Sequence, residues 1–535
     1  MTKSTFLLAA LLCSSASVSY AQTAPSVVWQ QCFGGSKDDW AFSIISTSDS
    51  GFAIADKASS NNGNVTGVHD TTYGDGWMLK LSAAGDIQWA KCLGGTNDDV
   101  VSSIIQTKDG GFAVAGYTAS RDGDVSGSHD TGSGYWGDYW VVKLSAAGAI
   151  QWQKCLGGTF QDLGSSIIQT ADQGFAIAGS TTSSDGDVTG YHNSGDFWIV
   201  KLNASGDLAW EKALGGDNQD GASSIIQTSD SGLVVAGLTG STDGDVTGNN
   251  GGWDGWILKL NASGDLQWQK CVGGSSYDYA ESILSTSDGG FIAACYTHSN
   301  DSDVSGNHGG LGDAWIVKLS STAQIQWQKC IGGSGTDFPL SIIHTTDGGF
   351  AVAGYTTSND GDVSGNHGGS DGWVIKLTAE GGIQWQKCIG GSGDDVAESI
   401  SQTANGDLVV AGYTKSNNGD VSGNHGSNDV WVVKLSAASG VTVEDHRFES
   451  SLSLSNSPNP FRSSTIIEYA LAAQLPVKLE IFDALGETVR SPESSIQAPG
   501  KHAITVDLAD ARNGVYYCRL QAGDHVETRP LVMQR

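Results

Sequence analysis

Asp371-Gly-Trp-Val-Ile-Lys-Leu-Thr-Ala-Glu-Gly-Gly-Ile-Gln-Trp-Gln-Lys-Cys-Ile-Gly-Gly391 reads as two short strands joined by a tight turn, and versions of it recur along almost the whole chain. The tryptophan that opens its first strand falls at Trp77, Trp140, Trp198, Trp256, Trp315, Trp373 and Trp431. The tryptophan of its second strand falls at Trp29, Trp89, Trp152, Trp210, Trp268, Trp327 and Trp385. Seven of each, mostly 58 or 59 residues apart, mark a repeat architecture.

The rest of the sixth copy extends the pattern. A strand is expected at 341–345, followed by the turn Thr346-Asp-Gly-Gly349. A second strand at 350–356 places Phe350, Val352 and Gly354 on one face and Ala351, Ala353 and Tyr355 on the other. Small residues on both faces suit a sheet covered on each side. A polar loop over 357–372 leads to a third strand at 373–377, a turn at 378–382 and a fourth strand at 383–388. Four antiparallel strands per unit, seven units and no helical period predict an all-β fold, a seven-bladed β-propeller over 22–438. One unit cannot bury both faces of its sheet, whereas a closed ring of units can. The array opens on a lone fourth strand, 27–33, and ends on a lone third strand, 431–435. The N-terminal strand is therefore expected to complete the last blade and remove two open edges. An open β-solenoid is the alternative, and it leaves both strands unpaired.

Composition agrees with this architecture. The chain has 535 residues, with 74 glycines and only 8 prolines, as many short strands and glycine turns require. Its formal charge of −30 repels phosphate backbones and argues against nucleic-acid binding. Residues 1–21 read as a secretory signal, with Lys3, an apolar run from Phe6 to Leu12 and the small-x-small site Ser19-Tyr20-Ala21. Leu12 disfavours a lipid anchor through Cys13. No later segment is apolar for long enough to cross a bilayer as a helix, so an exported, soluble monomer is expected. Cys32, Cys92, Cys155, Cys271, Cys330 and Cys388 share one slot of the repeat, too far apart for bridging, and read as small buried residues. Cys295 stands where the sixth copy has Gly354, and Cys518 lies in another domain. No disulfide framework is expected.

The strand, glycine turn, strand and Trp-ending hairpin resemble the units of quinoprotein-type and kelch-like propellers, over roughly residues 27–437. The positions that bind quinone or copper in those enzymes have no recognisable counterpart here, so the resemblance implies architecture without activity. After an acidic connector at 439–452 the pattern changes. Ser457-Pro-Asn-Pro-Phe461, Ile467-Glu-Tyr-Ala-Leu471, Val477-Lys-Leu-Glu-Ile-Phe-Asp483 with Leu485-Gly486, and Asn513-Gly-Val-Tyr-Tyr517 resemble the type IX secretion C-terminal sorting domain, over residues 453–535. On physical grounds this segment is a small Ig-like β-sandwich of about seven strands. The resemblance implies export across the outer membrane by the type IX machinery, then display on the cell surface or release. Pro530 is expected to interrupt the last strand, 527–535.

Three aspartates recur in each repeat. One set follows the Gly-Gly pair: Asp39, Asp99, Asp162, Asp220, Asp278, Asp337 and Asp395. A second precedes the third-strand tryptophan: Asp75, Asp138, Asp196, Asp254, Asp313, Asp371 and Asp429. The third is Asp-x-Asp in the long loop, as in Asp360 and Asp362, with Asn62, Asn64 and Asn418 as substitutes elsewhere. Carboxylates in glycine-bearing loops admit a Ca²⁺ site per blade. The competing reading is that each aspartate caps loop amides. His69, His129, His192, His308, His367 and His425 also recur, with Asn250 in their place once, and read as loop hydrogen-bonding residues. His298 and His344 lie outside the pattern. No Gly-x-Ser-x-Gly or His-Glu-x-x-His motif is present, and no catalytic, cofactor-binding or metal-ligating residue is assigned. Departures from the repeat mark where a site could have been added: Thr131 to Gly137 with Tyr135 and Trp136, then Trp253, Tyr277 and Tyr279. The expectation is a non-enzymatic binding protein for a glycan or protein. The alternatives are a glycan hydrolase or lyase using carboxylates from separate blades, or a calcium-stabilised surface component.

Overall fold

The computed structural model describes residues 24–129, 137–437, 454–471, 475–483, 486–497, 500–522 and 525–534. The signal at 1–21, the insertion at 131–136 with Tyr135 and Trp136, and the connector at 439–452 lie outside the described residues. The chain divides into two compact units, 1–439 and 440–535.

Among the described residues, the first unit holds seven four-stranded antiparallel sheets. Six are continuous in sequence: blades 1 to 6 cover 39–93, 99–156, 162–214, 220–272, 278–331 and 337–389. The seventh takes three strands from 395–435 and its outer strand from Val27–Phe33, which pairs with Asp429–Leu435. Each sheet packs against the next, and the inner strand of blade 1, Asp39–Ser46, packs against blade 7. The expected pairing of the N-terminal strand with the last blade is therefore observed.

Residue choice explains the layering. Second strands such as Leu408–Thr414 are buried along almost their whole length, because a neighbouring blade covers each face. The third-strand tryptophans are at most 1 % exposed and form the middle of each blade. Their Nε1 groups donate to the outer strand, as in Trp140 to Gln153 Oε1 (2.9 Å) and Trp431 to Gln30 Oε1 (2.9 Å). Outer-strand tryptophans reach across to the next blade: Trp89 meets Phe112 edge-on at 5.8 Å, and Trp29 meets Phe52 at 6.0 Å. Around the axis, an inner-strand serine of one blade accepts from a backbone N–H of the next. Ser224 Oγ takes Ile283 N, and Ser399 Oγ takes Ile44 N across the closure.

The inner strands begin earlier than the sequence pattern indicates. In blade 6 the strand is Asp337–His344, four residues ahead of the expected start, and its register shifts between Pro339 and Ser341. The same bulge recurs in every inner strand. It interrupts the two-residue alternation, so only the half after it looks like a strand in sequence. The seven propeller cysteines are free and buried, and burial pushes the thiols of Cys92 and Cys388 up to about 12.

The described residues of the second unit form seven strands in two sheets, one of three strands and one of four. Leu454, Phe461, Ile467, Leu479, Ile481, Leu520 and Leu531 are among the side chains that fill the space between them. Its last strand, His525–Met533, runs through Pro530 without a break. It lies at a sheet edge, where a missing N–H costs little, so the expected interruption does not occur.

Candidate functional site

The recurrent aspartates are accounted for by local donors. Asp99 Oδ2 accepts from Gly95 N (2.7 Å) and Ser120 Oγ (2.7 Å), and Thr118 Oγ1 bonds the other oxygen. Asp122 Oδ1 accepts from Thr96 N (2.8 Å), and Asn62 and Asn418 make the same bond to Ser36 N and Ser392 N (2.9 Å each). A neutral amide thus performs the task of the charged residue, as capping requires. Asp371 Oδ2 accepts from the His367 backbone N–H (3.0 Å) and contacts His367 Nδ1 (2.6 Å). The recurrent histidines therefore hold their own loops.

Two features depart from this saturation. Oδ1 of Asp75, Asp196, Asp254, Asp313, Asp371 and Asp429 is buried with no partner among the described residues. Burial together with the nearby Asp278 charge pushes Asp254 up to about 6; burial, then Asp75, does the same for Asp99. Among the described residues, no group of three or more His, Cys, Asp or Glu is placed to hold a metal.

The second departure lies on the ring axis. The bulged position of the inner strand is Phe42, Ser102, Ser165, Ser223, Glu281, Leu340 and Glu398 in blades 1 to 7, and all seven are half-buried. Burial pushes Glu281 up to about 7, opposed by a hydrogen bond from Ser223 of the neighbouring blade. Burial, then the charge of Glu281, pushes Glu398 up to about 7. Blades 5 and 7 are not neighbours, so two glutamates that sense each other do so across the axis.

Aromatic rings crowd one end of this channel, on blades 4 to 7 and blade 1. Trp253 packs against Tyr277 (5.9 Å between ring centres) and Tyr279 (5.8 Å). Tyr279 stacks on Tyr296 (6.0 Å), Tyr296 meets Phe338 (4.3 Å), and Phe338 stacks on Tyr355 (5.7 Å). Trp40 and Tyr413 join blade 1 to blade 7 at 6.2 Å. Burial, then Glu398, pushes Tyr413 up to about 12, and burial with Glu398 and Glu281 raises Tyr355. The arc and the channel carboxylates are therefore adjacent. At the equivalent of Tyr279, blades 2 to 4 carry Val100, Leu163 and Gly221.

Sequence reasoning found part of this site. It singled out Trp253, Tyr277 and Tyr279, which the structure brings together. It missed Glu281 and Glu398, because the inner strands were started after the bulge. The available signal was that only two of seven copies place a carboxylate at that slot.

Residues 457–534 match the family model described as secretion system C-terminal sorting domain. This segment is a type IX sorting domain. The protein is accordingly secreted or displayed on the cell surface, and its sorting domain engages the type IX secretion machinery. Over 427 residues the chain is 23 % identical to regulatory protein FlaEY of Caulobacter vibrioides, covering 70 % of this chain but only 43 % of that protein. Among solved structures, PorZ, a surface component of the type IX system of Porphyromonas gingivalis, is 12 % identical with a TM-score of 0.30, covering 92 % of this chain and 70 % of that one. The PQQ-bound aldose sugar dehydrogenase of Streptomyces coelicolor is 9 % identical with a TM-score of 0.32, covering 78 % of this chain and 99 % of that one. Similarity this distant concerns architecture alone. Within the sorting domain, Tyr516 Oη donates to the Arg512 carbonyl (2.8 Å), and Arg519 pairs with Glu480 (3.0 Å) while lying 4.8 Å from the Phe482 ring centre.

Proposed function

We propose that the propeller is a glycan-binding protein without turnover, and that the sugar lies on the aromatic arc at the channel mouth. The observation that carries this reading is the unbroken run from Trp253 through Tyr277, Tyr279, Tyr296 and Phe338 to Tyr355. Flat rings offer the apolar faces on which sugar rings stack, and their confinement to part of an otherwise repeating ring sets them apart from the scaffold. Tyr277 is 50 % exposed, so about half of its surface is open to a ligand. Calorimetric titration of the full chain against a panel of neutral and charged oligosaccharides tests the reading. At least one should bind, and Trp253→Ala or Tyr277→Ala should weaken it by about tenfold. A panel with no binder, or variants that bind like the parent, would overturn it.

A second reading is favoured by one observation, the two carboxylates held near neutrality across the channel. Such a pair suits the acid and base of a glycoside hydrolase. Incubating the bound oligosaccharide with the parent protein and with Glu398→Gln separates the readings. Cleavage by the parent that the variant lacks would replace binding with hydrolysis.

A further inference from the structure

We infer that the central channel receives a primary ammonium group between Glu281 and Glu398, with the rest of the ligand lying on the aromatic arc. This rests on the glycan reading above and narrows its ligand to sugars carrying a free amine.

Three observations lead there. The fold does not require these glutamates, since the same bulged slot is filled by serine in three blades and by Phe42 and Leu340 in two others. They are therefore an addition to a ring that closes without them. Two like charges around one channel also oppose each other, and a cation between them removes the conflict. Two lysines on the blades that carry the arc are engaged elsewhere: Lys57 pairs with Asp98, and Lys415 with Asp394 (2.9 Å). Among the described residues, Glu281 has a bond from Ser223, while burial and Glu281 are the influences on Glu398.

The chemistry of the lining selects the cation. An ammonium offers three donors, matched by two carboxylates and the serine hydroxyls of blades 2 to 4 in the same ring. A calcium ion favours several converging carboxylates, and among the described residues no group of three or more His, Cys, Asp or Glu is placed to hold a metal. The Glu398 charge raises both Tyr355 and Tyr413, so the arc lies within electrostatic reach of the carboxylates. An aminosugar combines the two demands, with its amine in the channel and its ring on the arc.

The test uses the full chain and calorimetric titration with a glucosamine tetramer, its N-acetylated counterpart, and spermidine. The glucosamine tetramer should bind at least about tenfold more tightly than the acetylated one. A Glu281→Gln/Glu398→Gln double variant should lose that advantage while binding the acetylated tetramer as before. Should the double variant fail to fold, Glu398→Gln alone should lose at least about threefold for glucosamine only. Equal affinity of the parent for both tetramers, or an undiminished advantage in a folded variant, would overturn the inference and leave the glycan reading standing. Glutamate-dependent binding of spermidine without any sugar binding would do the reverse. No binding of any probe would remove both.

Discussion

Asp56 is the residue at which blade 1 departs furthest from the repeat. Blades 2, 3, 4, 6 and 7 have glycine there, because the inner-strand bulge brings a carbonyl close; a Cβ on Gly354 would lie 1.9 Å from Phe338 O. Asp56 instead buries a complete carboxyl group whose oxygens have no partner among the described residues, and burial raises its pKa well above the ordinary value. A raised pKa means that its stability contribution is whole below the unfolded value and is lost as pH rises through the folded one. Asp56→Gly is therefore expected to stabilise the protein by about 1–3 kcal/mol at pH 8. The gain should shrink toward pH 5, as chemical denaturation at the two pH values would show. Beside it, Trp77 Nε1 is unpartnered because Ala90 stands where blade 2 has Gln153. Ala90→Gln should add about 1 kcal/mol by restoring the bond made in the other blades.

The elements show which parts of the fold were legible. Strands such as Val27–Phe33 and Phe350–Thr356 match their sequence reading residue for residue, because each carries the full repeat pattern. The inner strands were read from their second half only. There the bulge hides the first half from any test of alternation, and with it the slot that holds Glu281 and Glu398. The charge of Glu281 is felt at Glu398 from two blades away, a relation that no local pattern reveals. The aromatic departures were visible singly, but their union into an arc depends on blades meeting in space. The closing strand has its own prediction. Removing residues 22–34 exposes an edge on Asp429–Leu435 and takes away the Trp29–Phe52 contact. The melting midpoint should fall by roughly 10 °C or more, or the protein should aggregate. An unchanged midpoint would show that the ring does not depend on the clasp.

At the scale of the molecule, buried carboxylates repeat around the ring and their effects accumulate. Asp99, Asp162, Asp196 and Asp254 are each pushed up to about 6, chiefly by burial. Their folded values lie above the ordinary 3.8, so the stability they contribute is complete below that value and is lost as pH rises through 6. Asp109 and Asp172 run the other way. Held at about 2, first by threonine hydroxyls and further by lysine partners, they contribute above 3.8 and stop doing so as pH falls through 2. The melting midpoint should therefore rise by several degrees from pH 8 to pH 5 and fall in stronger acid. A midpoint that rose with pH would contradict this account. Millimolar Ca²⁺ after EDTA treatment should leave the midpoint in place, given that amides and hydroxyls already occupy the loop carboxylates. A large rise would make the unpartnered Asp oxygens metal ligands through mass action.

The shared seventh blade also sets an order of events. Its outer strand is made almost first, at Val27–Phe33, and its partner almost last, at Asp429–Leu435. Until residue 435 has emerged, the early strand waits with both edges unsatisfied, and the ring cannot lock. This is the slow, long-range kind of pairing in which unfinished chains are most exposed to misassembly. Blades 1 to 6 pair from consecutive strands, so it is the clasp alone that must wait for the last of the ring.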